Sequence, residues 1–473
     1  MSTLISPPPS KKPLEDQQAA WLAWGLTIVS TCVFCGLYWA EQAALLTFIY
    51  PFGALAVGAW LYLTHPALYL GFVLWVWTLT PFVRRLLDYQ MGAYSSISPA
   101  MTAPLLVTSL TALTLLRYAK RLPTRRYLPF LLAVLGIGYG YAIGVLKNGP
   151  VGATLGMMNW LLPVGLAFHI VVFWTQYPNY SRVVRSAFSW IMIVTGVYGI
   201  AQFLHPMPWD ALWMIGSGMQ SIGVPEPFEV RVFSMLNSPG PYAMVALAGI
   251  IVLFAHRGIL ARIATVAGVG GFLLSLVRSA WGGWVVALGY MIFRSQGVMR
   301  KRLTIILCMC VLLTIPLFSV SSIADRVASR SESFTALQED NSFLVRLHFF
   351  GVSARWVLSD PIGDGLGSVG STSKLSTGSK HQAFDNGIFS IMFSLGWLGG
   401  GLFYTALFLL FRRMWRIDGA SADPSTVVFS AIFVSFIAVL PFTNTFAGVS
   451  GLVVWMGLSL TLASGRYHKV PVQ

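Results

Sequence analysis

Residues 263–293 read IATVAGVGGFLLSLVRSAWGGWVVALGYMIF, an apolar run interrupted by one charge, Arg278. About 20 apolar residues cross a bilayer core of about 30 Å, so the run is too long for one ordinary span and barely long enough for two. The flanks decide between them. Arg262 precedes the run, and Arg294, Arg300, Lys301 and Arg302 follow it. A single span would separate these basic groups onto opposite faces. Two short helices joined at Val277 to Ser279 return the chain to the face it left and keep the basic residues together, as the positive-inside rule requires. A helix of about 15 residues rises only about 22 Å. Arg278 is therefore expected below the outer headgroup level, inside the bundle, where a charge is costly and by default marks a site.

Outward from this hairpin the same pattern recurs. The 473 residues are 56% hydrophobic and 10% charged, with mean hydropathy +0.71. A soluble domain carries about 25% charged residues, so a water-soluble fold is excluded. The predicted class is an all-α polytopic membrane protein. Its fourteen spans are Trp21–Ala40, Ala44–Leu63, Ala67–Val83, Ala100–Leu116, Tyr127–Leu146, Ala153–Trp174, Ala187–Leu204, Pro239–Ala255, Ile263–Val277, Ala280–Phe293, Leu303–Ser322, Gly387–Phe411, Val427–Val439 and Val449–Ser464. The alternation puts most of the 31 Lys and Arg on the cytoplasmic face with both termini, which accounts for the net charge of +15 without nucleic acid. Residues 1–20 read as a disordered cytoplasmic tail, 21–204 as N-terminal spans, 205–400 as a core, 401–464 as C-terminal spans and 465–473 as a second tail. No cleavable signal peptide is evident. Cys32, Cys35, Cys308 and Cys310 fall in apolar spans and behave as small hydrophobes, with no disulfide or metal site.

Two outer segments are long, His205–Ser238 and Ile323–Asn386, and function concentrates in such loops. In the second, Phe343, Leu347, Phe350, Ala354 and Val357 recur at helical spacing, predicting an amphipathic surface helix with Arg346 at the border of its apolar stripe. The glycine-rich stretch PIGDGLGSVG, residues 361–370, then makes turns that end it. No Asp or Glu falls within a predicted span, which weighs against a cation-coupled pump. No P-loop, zinc motif or nucleophile elbow is present. Arg84, Arg85 and Asp88 form an outer cluster after Pro81 that either pairs internally or offers a second phosphate contact. The plain alternative for Arg231 is snorkelling to lipid phosphate, for Arg346 a solvated surface charge, and for Asp385 a cap at the helix opening near Asn386 and Gly387.

Four segments, in order, resemble one family. RVFSMLNSPGPYAM (231–244), SLVRSAWGGW (275–284), NSFLVRLHFFGVSARWVLSDPIGDGLGSVG (341–370) and FDNGIFSIMFSLGWLGG (384–400) are similar to elements of the O-antigen ligase and Wzy-type polymerase superfamily. The resemblance implies a GT-C-like membrane glycosyltransferase with a large periplasmic loop. It would take a polyprenyl-pyrophosphate-linked oligosaccharide at the periplasmic face of a bacterial inner membrane, without metal or cofactor. Arg231, Arg278 and Arg346 would bind pyrophosphate or lipid phosphate, with Arg278 also catalytic. Asp385, standing where ligases carry His before Asn386, would be the base, or His381 would reach the same place. That substitution favours a repeat-unit polymerase, in exopolysaccharide or O-antigen synthesis, over a ligase with a distinct acceptor. A flippase or exporter of the same lipid is the rival from another class. Membrane lipids, and a flippase and chain-length regulator of the same pathway, are the implied partners.

Overall fold

The computed structural model describes residues 21, 25, 29, 33, 35–256, 258–317, 351–355, 357–378, 386–417 and 423–469. Fifteen α-helices with defined bounds are α1 Ala43–Thr64, α2 Pro66–Gln90, α3 Ala103–Ser109, α4 Thr111–Arg117, α5 Leu128–Asn148, α6 Pro150–Val172, α7 Tyr177–Leu204, α8 Pro208–Ser217, α9 Pro239–Leu253, α10 Ile259–Leu274, α11 Arg278–Arg294, α12 Gly297–Leu317, α13 Gly387–Trp415, α14 Pro424–Val439 and α15 Gly448–Tyr467. Proline sets many of the starts. Pro66, Pro104, Pro129, Pro178, Pro208 and Pro424 occupy first-turn positions, where the missing N–H costs nothing and the fixed φ suits a helix. Among the described residues there is no strand; Gly223 and Val230 form an isolated antiparallel bridge.

By length and composition, eight described spans can cross a membrane: α1, α2, Pro99–Arg117, α5, α6, Trp174–Leu204, α13 and α15. Three shorter apolar helices, α9, α10 and α14, accompany them. The protein is an all-helical, polytopic membrane protein.

The chain divides into two units, each discontinuous in sequence. The first takes Met1–Leu116, His169–Val277 and Arg466–Gln473. Here α7 packs on α10 because Gly196 lets its backbone lie against that of Ala267, with no room for a Cβ. Gly249 and Gly268 make space for Met192, and α9 is buried along almost its whole length. The second unit takes Arg117–Phe168 and Arg278–Gly465. Its centre is the antiparallel pair α5 and α13, where Gly136 meets Gly399 and Gly140 meets Ser394 and Leu395. Trp455 of α15, fully buried, packs against Phe130, Phe403 and Phe446 at about 6 Å.

Several boundaries differ from those expected. α2 does not stop at Val83 but continues to Gln90, so Arg84, Arg85 and Asp88 are helical and Asp88 is a buried carboxylate in a membrane-length helix. The expectation of carboxylate-free spans fails there because a carboxylate is tolerated where arginine neutralises it. The fourth predicted span is broken into a 3-10 turn, α3 and α4. The decisive run does form two helices, with the break at Ser275–Val277, where Leu276 is left-handed (φ 55°). Arg278 is therefore the first residue of α11, and its side chain is exposed, not enclosed as expected.

Candidate functional site

The segment carrying Arg231 is built from the residues that follow α7. Met207 leads into α8, which ends at the left-handed Gly218, and a 3-10 turn, Gln220–Ile222, follows. Trp213, Met214, Ile222, Val230 and Phe233 then bury one another, with Tyr94 and Met219 against them. This is a folded substructure where the sequence suggested a long loop. The Arg231 amide donates to the Ile222 carbonyl (3.0 Å) and the Val232 amide to the Leu274 carbonyl (3.1 Å), so the backbone on both sides of the arginine side chain is fixed. The guanidinium donates to the carbonyls of Ser221 (3.0 Å) and Leu276 (3.2 Å). Arg231 is thus seated on the end of α10, on a residue two positions before Arg278 in sequence. The Arg278 side chain has no hydrogen-bond or ion-pair partner among the described residues.

Beneath this seat lies a buried polar network that sequence reasoning did not assemble. Arg85, fully buried, donates to Asp210 and to the Ser234 carbonyl. Asp210 also accepts from Tyr198 (2.8 Å) and Gln202 (2.9 Å), and the Tyr198 hydroxyl accepts from Trp209 (2.7 Å). The Gln202 side-chain oxygen receives the amides of Phe233 (3.1 Å) and Ser234 (2.9 Å). One ion pair therefore joins α2 and α8, and its neighbours clamp the chain three residues beyond Arg231. Ser234 is itself left-handed (φ 51°), a conformation a non-glycine residue holds only under such constraint. Arg84 pairs with Asp88 (3.4 Å), donates to the Ser95 carbonyl and stacks over Trp213 (4.6 Å). The expected internal pairing of the cluster holds for Arg84 and Asp88, whereas Arg85 pairs with Asp210. The usable signal was that Asp210 is a lone acid in the first turn of a proline-led helix, with Arg84 and Arg85 available after Pro81.

In the second unit the stretch PIGDGLG makes more than turns. Gly396 (φ 66°) breaks α13, separating the Phe393 carbonyl from the Trp397 amide that would otherwise bond it. Both groups are repaired from the loop: the Asp364 amide donates to Phe393 and the Trp397 amide donates to Pro361, each at 2.9 Å. The Leu366 amide donates to the Gly140 carbonyl of α5 (2.9 Å), and Asn148 donates to the Asp364 carbonyl (2.7 Å). Gly363, Gly365 and Gly367 are all left-handed and touch the backbones of Gly396, Gly144 and Gly152, so no side chain fits at any of the three. Irregular backbone among membrane helices survives only when its polar groups are met in this way. At the mouth, Lys147 bridges Asp360 (2.8 Å) and Asp364 (3.5 Å). Its hydrogen bond holds the Asp360 carboxyl below the ordinary range.

Asn386 caps α13, its side-chain oxygen accepting from the amides of Ile388 (2.9 Å) and Phe389 (3.1 Å). Asp385, His381 and Arg346 lie outside the described residues. Among the described residues no group of three His, Cys, Asp or Glu could hold a metal ion. The chain matches no protein-family model, and none of the curated proteins is a significant match.

Proposed function

We propose that the protein is a membrane glycosyltransferase that polymerises polyprenyl-pyrophosphate-linked oligosaccharide repeat units at the outer face of a bacterial-type inner membrane, on a GT-C-like framework of fourteen spans. The observation that carries the reading is the seat of Arg231. A guanidinium fixed by two carbonyls, on a backbone clamped by a buried ion pair, is preorganised, and preorganised cations are how a departing diphosphate is stabilised without solvent reorganisation. Arg278, exposed at the start of α11, supplies the second guanidinium that the family resemblance implies. Arginine suits both places because its fork pairs with phosphate oxygens and it does not deprotonate.

In the reaction, an acceptor hydroxyl oxygen attacks the anomeric carbon of the donor sugar. The bond from that carbon to the pyrophosphate oxygen breaks with inversion, and the pair of electrons leaves on the diphosphate. The hydroxyl proton passes to the base, Asp385 or His381. The test is purified protein supplied with a synthetic polyprenyl pyrophosphate glycan, its product resolved by gel and mass. A ladder is expected. Transfer of one unit to a different acceptor would make the protein a ligase, and lipid crossing without bond formation would make it a flippase. Arg231→Ala and Arg278→Ala should each lower turnover by about 100-fold or more, the usual loss for one stabilising donor. Undiminished turnover in both would sink the reading.

A further inference from the structure

At the end of the second unit opposite the Lys147 bridge, the fold gathers arginines that form no ion pair among the described residues. α5 and α13 run antiparallel, so the turn that opens α5 and the last turn of α13 come together. Arg413 ties them, donating to the carbonyls of Arg126 and Arg125 (2.6 Å for the latter). The turn is fixed by its own bonds, from the Thr124 amide to Arg121 and from the Tyr127 amide to Thr124. Arg413 is thereby held beside Arg125 and Arg126, with Arg412 and Arg416 on the same helix end. Ion pairs among the described residues involve none of them.

Holding like charges together, on a backbone ordered by one of them, is unfavourable unless an anion completes the arrangement. The position names that anion. α5 and α13 are both long and apolar enough to cross a membrane, so their shared end lies at headgroup level. The exposed stripe of α13 has matching chemistry along its length: Phe408 (62% exposed), then Arg412, then Trp415 (44% exposed) and Arg416, at the three- and four-residue spacing of one helix face. An apolar lower part, an interfacial tryptophan and a cationic top match an acyl chain, a glycerol backbone and a phosphate.

We propose that this face is a binding site for an anionic phospholipid, with Arg412, Arg416, Arg125 and Arg126 around the headgroup phosphate and Arg413 ordering them. The site is independent of the glycosyltransferase reading and lies outside every residue used in it. It is tested by melting the full-length protein in neutral detergent and by native mass spectrometry, with phosphatidylglycerol, phosphatidylcholine or inorganic phosphate added. Phosphatidylglycerol should raise the melting temperature and persist as a bound adduct, and phosphatidylcholine should do neither.

Each basic residue near an anionic surface contributes about fivefold to affinity. Arg412→Gln/Arg416→Gln, which leaves the fold-tying Arg413 in place, should therefore weaken the phosphatidylglycerol effect about thirtyfold. The charge-matched control Arg300→Gln/Lys301→Gln should leave it unchanged. Equal stabilisation by phosphatidylcholine, equal stabilisation by inorganic phosphate, or an undiminished effect in the Arg412/Arg416 variant would each overturn the proposal.

Discussion

Arg85 and Arg231 show how differently two arginines of similar sequence context are used. Arg85 is fully buried against Asp210, whereas Arg231 presents its guanidinium to carbonyls at a partly open surface. Removing one partner of a buried pair leaves an unmatched charge, which costs about 3–5 kcal/mol, while replacing both with apolar groups is often neutral. Arg85→Ala or Asp210→Ala should accordingly lower the melting temperature of the detergent-solubilised protein sharply. Arg85→Met/Asp210→Leu should recover much of the loss. If the double variant is no better than either single one, the pair is not the thermodynamic unit described. Arg84 and Arg85 were visible in the sequence as an anomaly after Pro81. That Arg85 would meet Asp210 was not, because Asp210 lies 125 positions from Arg85 and only the fold closes that distance.

At the scale of elements, the apolar runs announced the helices, and proline and glycine punctuated them. The glycine-rich stretch 361–367 was legible as irregular but not as structural, since turn glycines and close-packing glycines look alike in sequence. The distinction is measurable. Gly365 and Gly370 share a left-handed backbone, but a Cβ at Gly365 would meet the backbone of Gly144 and one at Gly370 meets nothing within 4 Å. Gly370→Ala should cost only the backbone strain, about 1–2 kcal/mol. Gly365→Ala should cost that and a displacement of α5 from the loop, so its melting temperature should fall well below that of Gly370→Ala. Equal losses would mean that the close approach carries no weight. The helix break at Leu276 was also anticipated, by parity of charge, but not its position, because nothing in the local sequence demands a left-handed residue there.

For the whole molecule, the antiparallel course of α5 and α13 puts the turn before α5 and the segment after the glycine-rich loop at opposite ends of a membrane-length pair. Thr124 and Thr377 are both exposed. With the four native cysteines replaced, Thr377→Cys should react with an impermeant maleimide in intact spheroplasts, and Thr124→Cys only after permeabilisation. The reverse pattern would invert the expected orientation, and labelling of both from one side would refute the span between them.

What the sequence by itself determined is the solvent: the apolar fraction and the clustering of basic residues require a helical chain in a bilayer, because partition into hydrocarbon is additive over residues and needs no partner. The tertiary structure alone decided which polar groups are spent on the fold. Arg85 with Asp210, Gln202 with the amides of Phe233 and Ser234, and the loop 361–364 with the broken turn of α13 are pairings between groups distant in sequence. Their energy depends on distance and burial, quantities a linear chain does not possess until it has folded.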